Sequence, residues 1–241
     1  MFAQKSVDDL IKFAYMFHNE AADDAWHRYR SWETCYSQFK AARQAEHKDY
    51  KQLSIALGFY LASWGMYRGS AFLLDCNEQV HEAVVKIVLE PKYDALLDLD
   101  CETFLQSKHI QMLLQELSER LRQHYDEIRR SVEQRNQKKP AKADVSSVLI
   151  TKVLLGVLAC VPAYDRFFKN AIVGTGISTA VYNTASLKKL AKFYMNHREQ
   201  LEMARLQLQY AQGQAYPQMK FLDMGFFKMG ANQPNSSKSV Q

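Results

Sequence analysis

The chain has 241 residues and a net charge of +5, and hydrophobic residues make up 47% of it. This composition is typical of a globular protein and excludes a disordered chain. Only 9 glycines and 5 prolines occur, too few for a turn-rich β-sandwich, so the composition favours helices. The mildly basic balance permits contact with nucleic acid without demanding it, because a dedicated DNA-binding domain usually carries a concentrated basic face.

The sequence contains no metal-binding pattern and no targeting or membrane segment. The four cysteines form no CxxC pair, the seven histidines form no HExxH pair, and we predict neither a metal nor a cofactor. We expect no signal peptide, because the first residues show no basic start followed by an apolar stretch. The longest apolar stretch, residues 153–163, is too short for a membrane span, which needs about 20 residues. We therefore predict a soluble cytoplasmic protein with reduced thiols and no membrane partner; its oligomeric state is left open.

The first third of the chain repeats apolar residues at helical spacing. Ser6, with Asp9 three residues later, resembles a capping box, so we predict one or two helices over residues 6–46 with a break near Asp23. A second helical segment is predicted over residues 50–74. One series of aromatic residues at helical spacing either belongs to the core or forms a face that stacks bases: Trp26, Tyr29, Trp32 and Tyr36.

The middle third predicts two capped helices and a long amphipathic one. Asn77 is expected to cap a short helix that Pro91 stops, and Asp100 to cap the next. The amphipathic helix is predicted over residues 108–134. The polar, basic stretch at residues 136–144 reads as an exposed linker within one domain.

The last third begins with residues 145–161, an apolar helix that Pro162 ends. Such a helix usually lies at the centre of a bundle. A short helix should begin near Asp165, a turn follows at residues 174–176, and a final long helix should begin at Ser186. We predict an all-α fold of roughly eight to ten helices around this central apolar helix. It should form a single domain over residues 1–230, with a disordered tail at 231–241.

Two residues of the central region are candidates for catalysis. Lys152 lies in an apolar helix, where burial would make its amine a better nucleophile, unless the side chain extends to the surface. Asp165 lies where a loop becomes a helix, and its carboxylate either serves chemistry or only caps the helix. Trp64, Tyr67 and Arg68, beside two glycines, either line a binding pocket or serve tight helix packing.

The segment that runs from the apolar helix through Val161-Pro162-Ala163-Tyr164-Asp165 resembles the catalytic-aspartate segment of the helix-hairpin-helix DNA glycosylases. That resemblance implies Asp165 as the catalytic carboxylate and Lys152 as a Schiff-base amine, and we add the flanking Tyr164 and Arg166 as candidate binding residues. Three segments, residues 61–70, 151–168 and 216–230, also resemble uncharacterised bacterial helical proteins.

Two functions remain open from the sequence, and so does the question of whether the protein is an enzyme. The first is a DNA-acting enzyme with a glycosylase-like site, in which a carboxylate stabilises a cationic sugar. The second is a non-enzymatic helical module that binds protein or nucleic acid. The first requires Lys152 and Asp165 to face one solvent-reached cleft lined with basic side chains. The second predicts that they point apart or pair with neighbours.

Overall fold

A computed structural model of the protein describes residues 2–69, 71–137, 144–210 and 213–233. Helices make up most of these residues, which confirms the all-α prediction. The helices are α1 (Phe2–Asp23), α2 (Arg30–Gln44), α3 (Tyr50–Ser63), α4 (Glu82–Val88), α5 (Cys101–Gln106), α6 (Lys108–Arg135), α7 (Ser147–Val157), α8 (Arg166–Gly174), α9 (Thr184–Asn196), α10 (Arg198–Gln207) and α11 (Gln218–Ala231). Two strands, β1 (Gln209–Tyr210) and β2 (Gln214–Ala215), form a short antiparallel pair.

The break predicted near Asp23 is present, because α1 ends at that residue and α2 begins at Arg30. The cap predicted at Ser6 is wrong, since α1 already begins at Phe2. The prediction of a helix through residue 74 is also wrong. Gly65 and Gly69 have φ angles of 78° and 65°, a left-handed conformation that a right-handed helix cannot contain, and α3 stops at Ser63.

Helix starts in the middle of the chain follow the predicted caps. Asn77 Oδ1 accepts a hydrogen bond from the Gln79 amide, and Asp100 Oδ1 accepts one from the Thr103 amide. Pro91 begins a short 3-10 helix of its own, with two residues between it and the end of α4 at Val88. The long helix α6 matches its prediction to within a residue. Most of the predicted linker, residues 138–143, lies outside the described residues.

Helix α7 is the centre of the bundle, as the sequence predicts. Every residue from 149 to 157 is buried, and the helix contacts α2, α3 and α6. It ends at Val157 rather than at Pro162, because Ala159 adopts a φ of 52° that stops the helical hydrogen bonding earlier. The buried side chains before and after the linker join one hydrophobic cluster. Within the described ranges, none of the helices is both long enough and apolar enough to cross a membrane.

The C-terminal part differs most from the prediction. Helix α9 begins at Thr184 under an Asn183 cap rather than at Ser186, and the predicted long helix is broken at His197. Helix α11, which the periodicity does not reveal because it is apolar on nearly all sides, packs against α1 and α8. Gly225 permits the close approach to α1, since a Cβ there would lie 2.7 Å from the Leu10 carbonyl oxygen. Of the predicted tail, residues 234–241 lie outside the described residues.

Candidate functional site

Two lysines and two aspartates meet at one small cavity in the interior. They come from α7, from the residue that precedes α8, and from α11, and we call them the Lys–Asp cluster: Lys152, Asp165, Lys220 and Asp223. The cavity has a volume of about 10 Å³ and is completed by Tyr60, Trp64, Leu155, Ala163 and Phe227. Four ionisable groups in an apolar interior are costly unless they pair, so the arrangement needs a structural or functional reason.

Lys152 and Asp165 form the first pair. Lys152 Nζ lies 3.3 Å from Asp165 Oδ2, and the two side chains are 4% and 15% exposed. The lysine therefore does not extend to the surface. The sequence analysis named both residues, and the structure brings them together at the cavity.

Asp165 uses its second carboxylate oxygen to cap α8. Oδ1 accepts hydrogen bonds from the amides of Phe167 and Phe168, at 3.0 and 3.1 Å. Both predicted roles are thus compatible in one residue, because one oxygen satisfies the free amides of the helix and the other faces Lys152. Capping also fixes the orientation of the carboxylate at the cavity.

Lys220 and Asp223 form the second pair, one turn apart on α11. Lys220 Nζ lies 3.2 Å from Asp223 Oδ2, and Asp223 Oδ1 accepts a hydrogen bond from the Ala163 amide at 2.9 Å. Burial lowers the pKa of Lys220 and raises the pKa of Asp223, and their mutual attraction opposes both changes. Neither residue of this pair was among the candidates predicted from the sequence. The available signal was an i, i+3 Lys–Asp spacing within an otherwise apolar helix.

Aromatic rings surround the buried ammonium groups. Lys220 Nζ lies 4.7 Å from the ring centroid of Phe17 and 5.0 Å from that of Trp32, and Lys152 Nζ lies 5.0 Å from that of Trp64. The negative ring faces stabilise cations that have lost their water. The site therefore holds positive charge in an apolar, water-poor environment.

Trp64 is a partly exposed residue at the edge of the site. Its indole ring is nearly parallel to the ring of Tyr29, with centroids 5.3 Å apart, and Tyr29 in turn stacks on Phe17 at 3.9 Å. The exposed Arg28 places its guanidinium 5.1 Å from the Trp64 ring. The indole Nε1 is buried and makes no hydrogen bond to the described residues. Trp64 thus closes the cavity with an aromatic ring whose polar group is unsatisfied.

The other predicted binding residues are two tyrosines that bond elsewhere and two exposed arginines. Tyr67 and Tyr164 are hydrogen-bonded elsewhere, Tyr67 to His81 at 2.6 Å and Tyr164 to Ser186 at 2.8 Å, and neither lines the cavity. Arg68 and Arg166 are exposed, and Arg166 lies over the Phe167 ring at 4.7 Å. The structure brings Trp64, Lys152 and Asp165 together but leaves the two tyrosines apart.

The aromatic series of the first helices is mostly core. Tyr29, Trp32 and Tyr36 are buried, whereas Trp26, in the turn between α1 and α2, is 94% exposed. Three of the four residues therefore pack inside, and one projects into solvent beside Arg28.

A larger cavity, of about 410 Å³, lies between α6 and the start of α9. Its charged residues are the exposed Glu119 and the partly buried Arg122, which approach each other to 3.5 Å, and Arg122 also donates a hydrogen bond to the Val145 carbonyl. We place the candidate site at the Lys–Asp cluster instead, because there two ion pairs face one cavity and are largely held out of water. Across the ranges described, no three His, Cys, Asp or Glu side chains are arranged to hold a metal ion.

In comparisons with known proteins, no family model, no curated protein and no solved structure matches this chain.

Proposed function

We propose that the protein hydrolyses the N-glycosidic bond of a base in nucleic acid at the Lys–Asp cluster. The proposal depends on one observation. The Asp165 carboxylate and the Lys152 amine face one cavity, with Lys152 Nζ 3.3 Å from Asp165 Oδ2 and a second Lys–Asp pair beside them. Departure of a base leaves positive charge on the sugar. A carboxylate fixed in a site of low polarity stabilises that charge more strongly than water does.

The two residues divide the reaction between them. The bond between C1′ and the base nitrogen breaks, and its electron pair leaves with the base, which takes a proton from the Lys152 ammonium. Water then adds to C1′, and its proton passes through the Asp165 carboxylate back to Lys152. The products are the free base and an abasic sugar, and both side chains return to their starting state. The cap hydrogen bonds hold the carboxylate in place throughout.

The surface next to the cavity supports a nucleic-acid substrate. Three exposed arginines offer contacts for phosphates: Arg28 lies near the Trp64 ring, Arg166 near the Phe167 ring, and Arg68 against Gly65. Trp26 projects from the same turn as Arg28, and an exposed ring there could fill the space that an extruded base leaves. We also propose a cytoplasmic location and a bacterial origin; for the former, the four cysteines are free thiols.

The test is release of bases from oligonucleotides by the full chain. Single-stranded and duplex substrates carry each normal base or a deaminated or alkylated one, and the released base is measured by mass spectrometry. We expect Asp165→Asn and Lys152→Met to lower the rate by about 100-fold or more. The exposed Glu127→Gln variant is the control and should keep the wild-type rate. The proposal fails if no substrate loses a base, or if Asp165→Asn is as fast as wild type.

A second candidate function is a non-enzymatic module that binds protein or nucleic acid. It is favoured by the fact that Asp165 already has two structural roles, as the cap of α8 and as the partner of Lys152. In that case Asp165→Asn changes stability alone, and oligonucleotide binding is lost instead when Arg28 and Arg166 are replaced. Salt-dependent binding without base release would select this function over the first.

A further inference from the structure

The Trp64 indole occupies a flat slot at the edge of the Lys–Asp cluster. One face of the slot is the ring of Tyr29, at an interplanar angle of 11°, and the ring of Phe227 meets the indole edge-on at 5.3 Å. The Arg28 guanidinium and the Lys152 ammonium lie 5.1 and 5.0 Å from the centroid of the Trp64 ring. Flat aromatic surfaces and cations of this kind also stack on nucleobases.

We propose that this slot is a binding site for a purine base, and that Trp64 fills it only while the site is unliganded. The inference rests on the proposed function, since it names the class of base that the site takes. Indole and purine are both planar systems of a fused five- and six-membered ring. A purine that replaced the indole would keep the stack on Tyr29, whereas the smaller pyrimidine ring would leave part of the slot unfilled.

The polar groups around the slot suit a purine better than they suit indole. The indole N–H has no acceptor among the described residues. This unsatisfied group destabilises the unliganded state, in which Trp64 fills the slot. A purine offers ring nitrogens and exocyclic groups along its edges. Lys152 and Asp165, which line the same cavity, supply a donor and an acceptor for them.

Trp64 is placed to leave the slot. It follows the last residue of α3, and the positive φ angles of Gly65 and Gly69 end the helix there. Its side chain borders solvent and has no hydrogen bond to break. The cavity of about 10 Å³ is far too small for a base, so a base can enter only where the indole now lies.

The experiment measures binding of free bases to the full chain, without nucleic acid. Trp64→Ala should bind adenine and hypoxanthine about tenfold or more tightly than wild type does, because the occupant of the slot is gone. Trp64→Ala should bind cytosine and thymine at least about tenfold more weakly than it binds the purines. It should also bind free indole. Phe59→Ala, which removes an exposed aromatic ring elsewhere on α3, is the matched control and should match wild type.

The polar part of the inference has its own test. The double variants Trp64→Ala/Lys152→Met and Trp64→Ala/Asp165→Asn should lose the preference for purines and keep the binding of indole. If Trp64→Ala does not fold, Trp64→Leu takes its place, since it retains more of the packing. The inference is overturned if the opened slot binds indole but holds purines no better than pyrimidines, or if it binds neither.

Failure of this inference is distinguishable from failure of the proposed function. Purine binding by Trp64→Ala without base release by the wild-type chain would support the slot and contradict the glycosidic reaction. Base release that is equally fast from purine and pyrimidine positions would support the reaction and contradict the purine slot.

Discussion

Gly156 of α7 lies against the ring of Tyr60 of α3, so closely that a Cβ at position 156 would come within 2.5 Å of Tyr60 Cε1. Tyr60 is buried and forms one wall of the cavity. Burial, followed by the charges of Asp223 and Asp165, raises the pKa of Tyr60 well above its usual value, so the phenol stays protonated. The absence of a side chain at Gly156 therefore sets where this wall lies.

Gly156→Ala should lower the free energy of unfolding by about 1–3 kcal/mol through overpacking, even though alanine favours a helix by up to about 1 kcal/mol. Gly58→Ala is the matched control, because position 58 is also inside a helix and its Cβ would meet only ordinary contacts, the nearest at 3.4 Å. That variant should be neutral or slightly stabilised. Urea unfolding compares the two, and equal stabilities would mean that the contact with Tyr60 relaxes freely.

The buried Lys220–Asp223 pair predicts a large penalty when one partner is removed. Asp223→Asn retains an acceptor for the Ala163 amide but leaves the ammonium of Lys220 without its carboxylate. We expect a loss of about 3–5 kcal/mol, and a smaller loss in the double variant Lys220→Met/Asp223→Asn. The exposed Glu102→Gln serves as control and should change stability by no more than about 0.5 kcal/mol.

The same variant has a predictable pH dependence. Without Asp223, the main attraction that opposes burial is lost, and the pKa of Lys220 falls further below its value in the unfolded chain. The unfolded state then binds more protons between the two pKa values, so stability should rise with pH in that window. Thermal unfolding at several pH values measures this. A loss of stability that does not change between neutral and alkaline pH would contradict a lowered pKa of Lys220 in the folded variant.

The sequence predicts much of this fold because most helix boundaries depend on local signals. Asn77, Asp100 and Asp165 cap helices where a short polar side chain precedes an apolar run, and all three do so through their own hydrogen bonds. The long helix α6 has one apolar stripe and needs no tertiary information. The errors lie where backbone conformation decides, as at Gly65, or where a helix such as α11 is apolar all round and shows no period.

Half of the Lys–Asp cluster could be predicted, and the other half could not. Lys152 and Asp165 are separated by only 13 positions. A lysine within an apolar helix is unusual, and this pattern by itself indicates a candidate functional residue. Lys220 and Asp223 reach the same cavity only because α11 packs between α1 and α8. Tertiary packing brings the pairs together, and no local pattern encodes it.

His81 predicts that the protein loses stability in acid. Its ring lies between the hydroxyls of Tyr67 and Tyr125, and burial, followed by the nearby His124, lowers its pKa to about 3. Between that value and about 6.5 the unfolded state binds the proton and the folded state does not, so stability should fall with decreasing pH, by about 1.4 kcal/mol per unit. In His81→Gln the dependence of stability on pH should become smaller by about 1.4 kcal/mol per pH unit, which corresponds to one proton. The exposed His109→Gln should keep the slope, and a slope unchanged in both variants would show that His81 does not titrate this way.

Asp165 has two structural roles that substitution can separate. Asn is as good a cap as Asp, so Asp165→Asn should lose only the pairing with Lys152, while Asp165→Ala should lose a further ~1 kcal/mol for the cap. A double-mutant cycle with Lys152→Met should give a coupling energy of about 1 kcal/mol or more, since both groups are largely buried. The same cycle on the exposed Lys86–Glu82 pair should give a coupling close to the limit of measurement. If the two cycles agree, burial does not strengthen the Lys152–Asp165 contact. If the Asn and Ala variants at position 165 are equally stable, a side-chain cap at this position is not needed to begin α8.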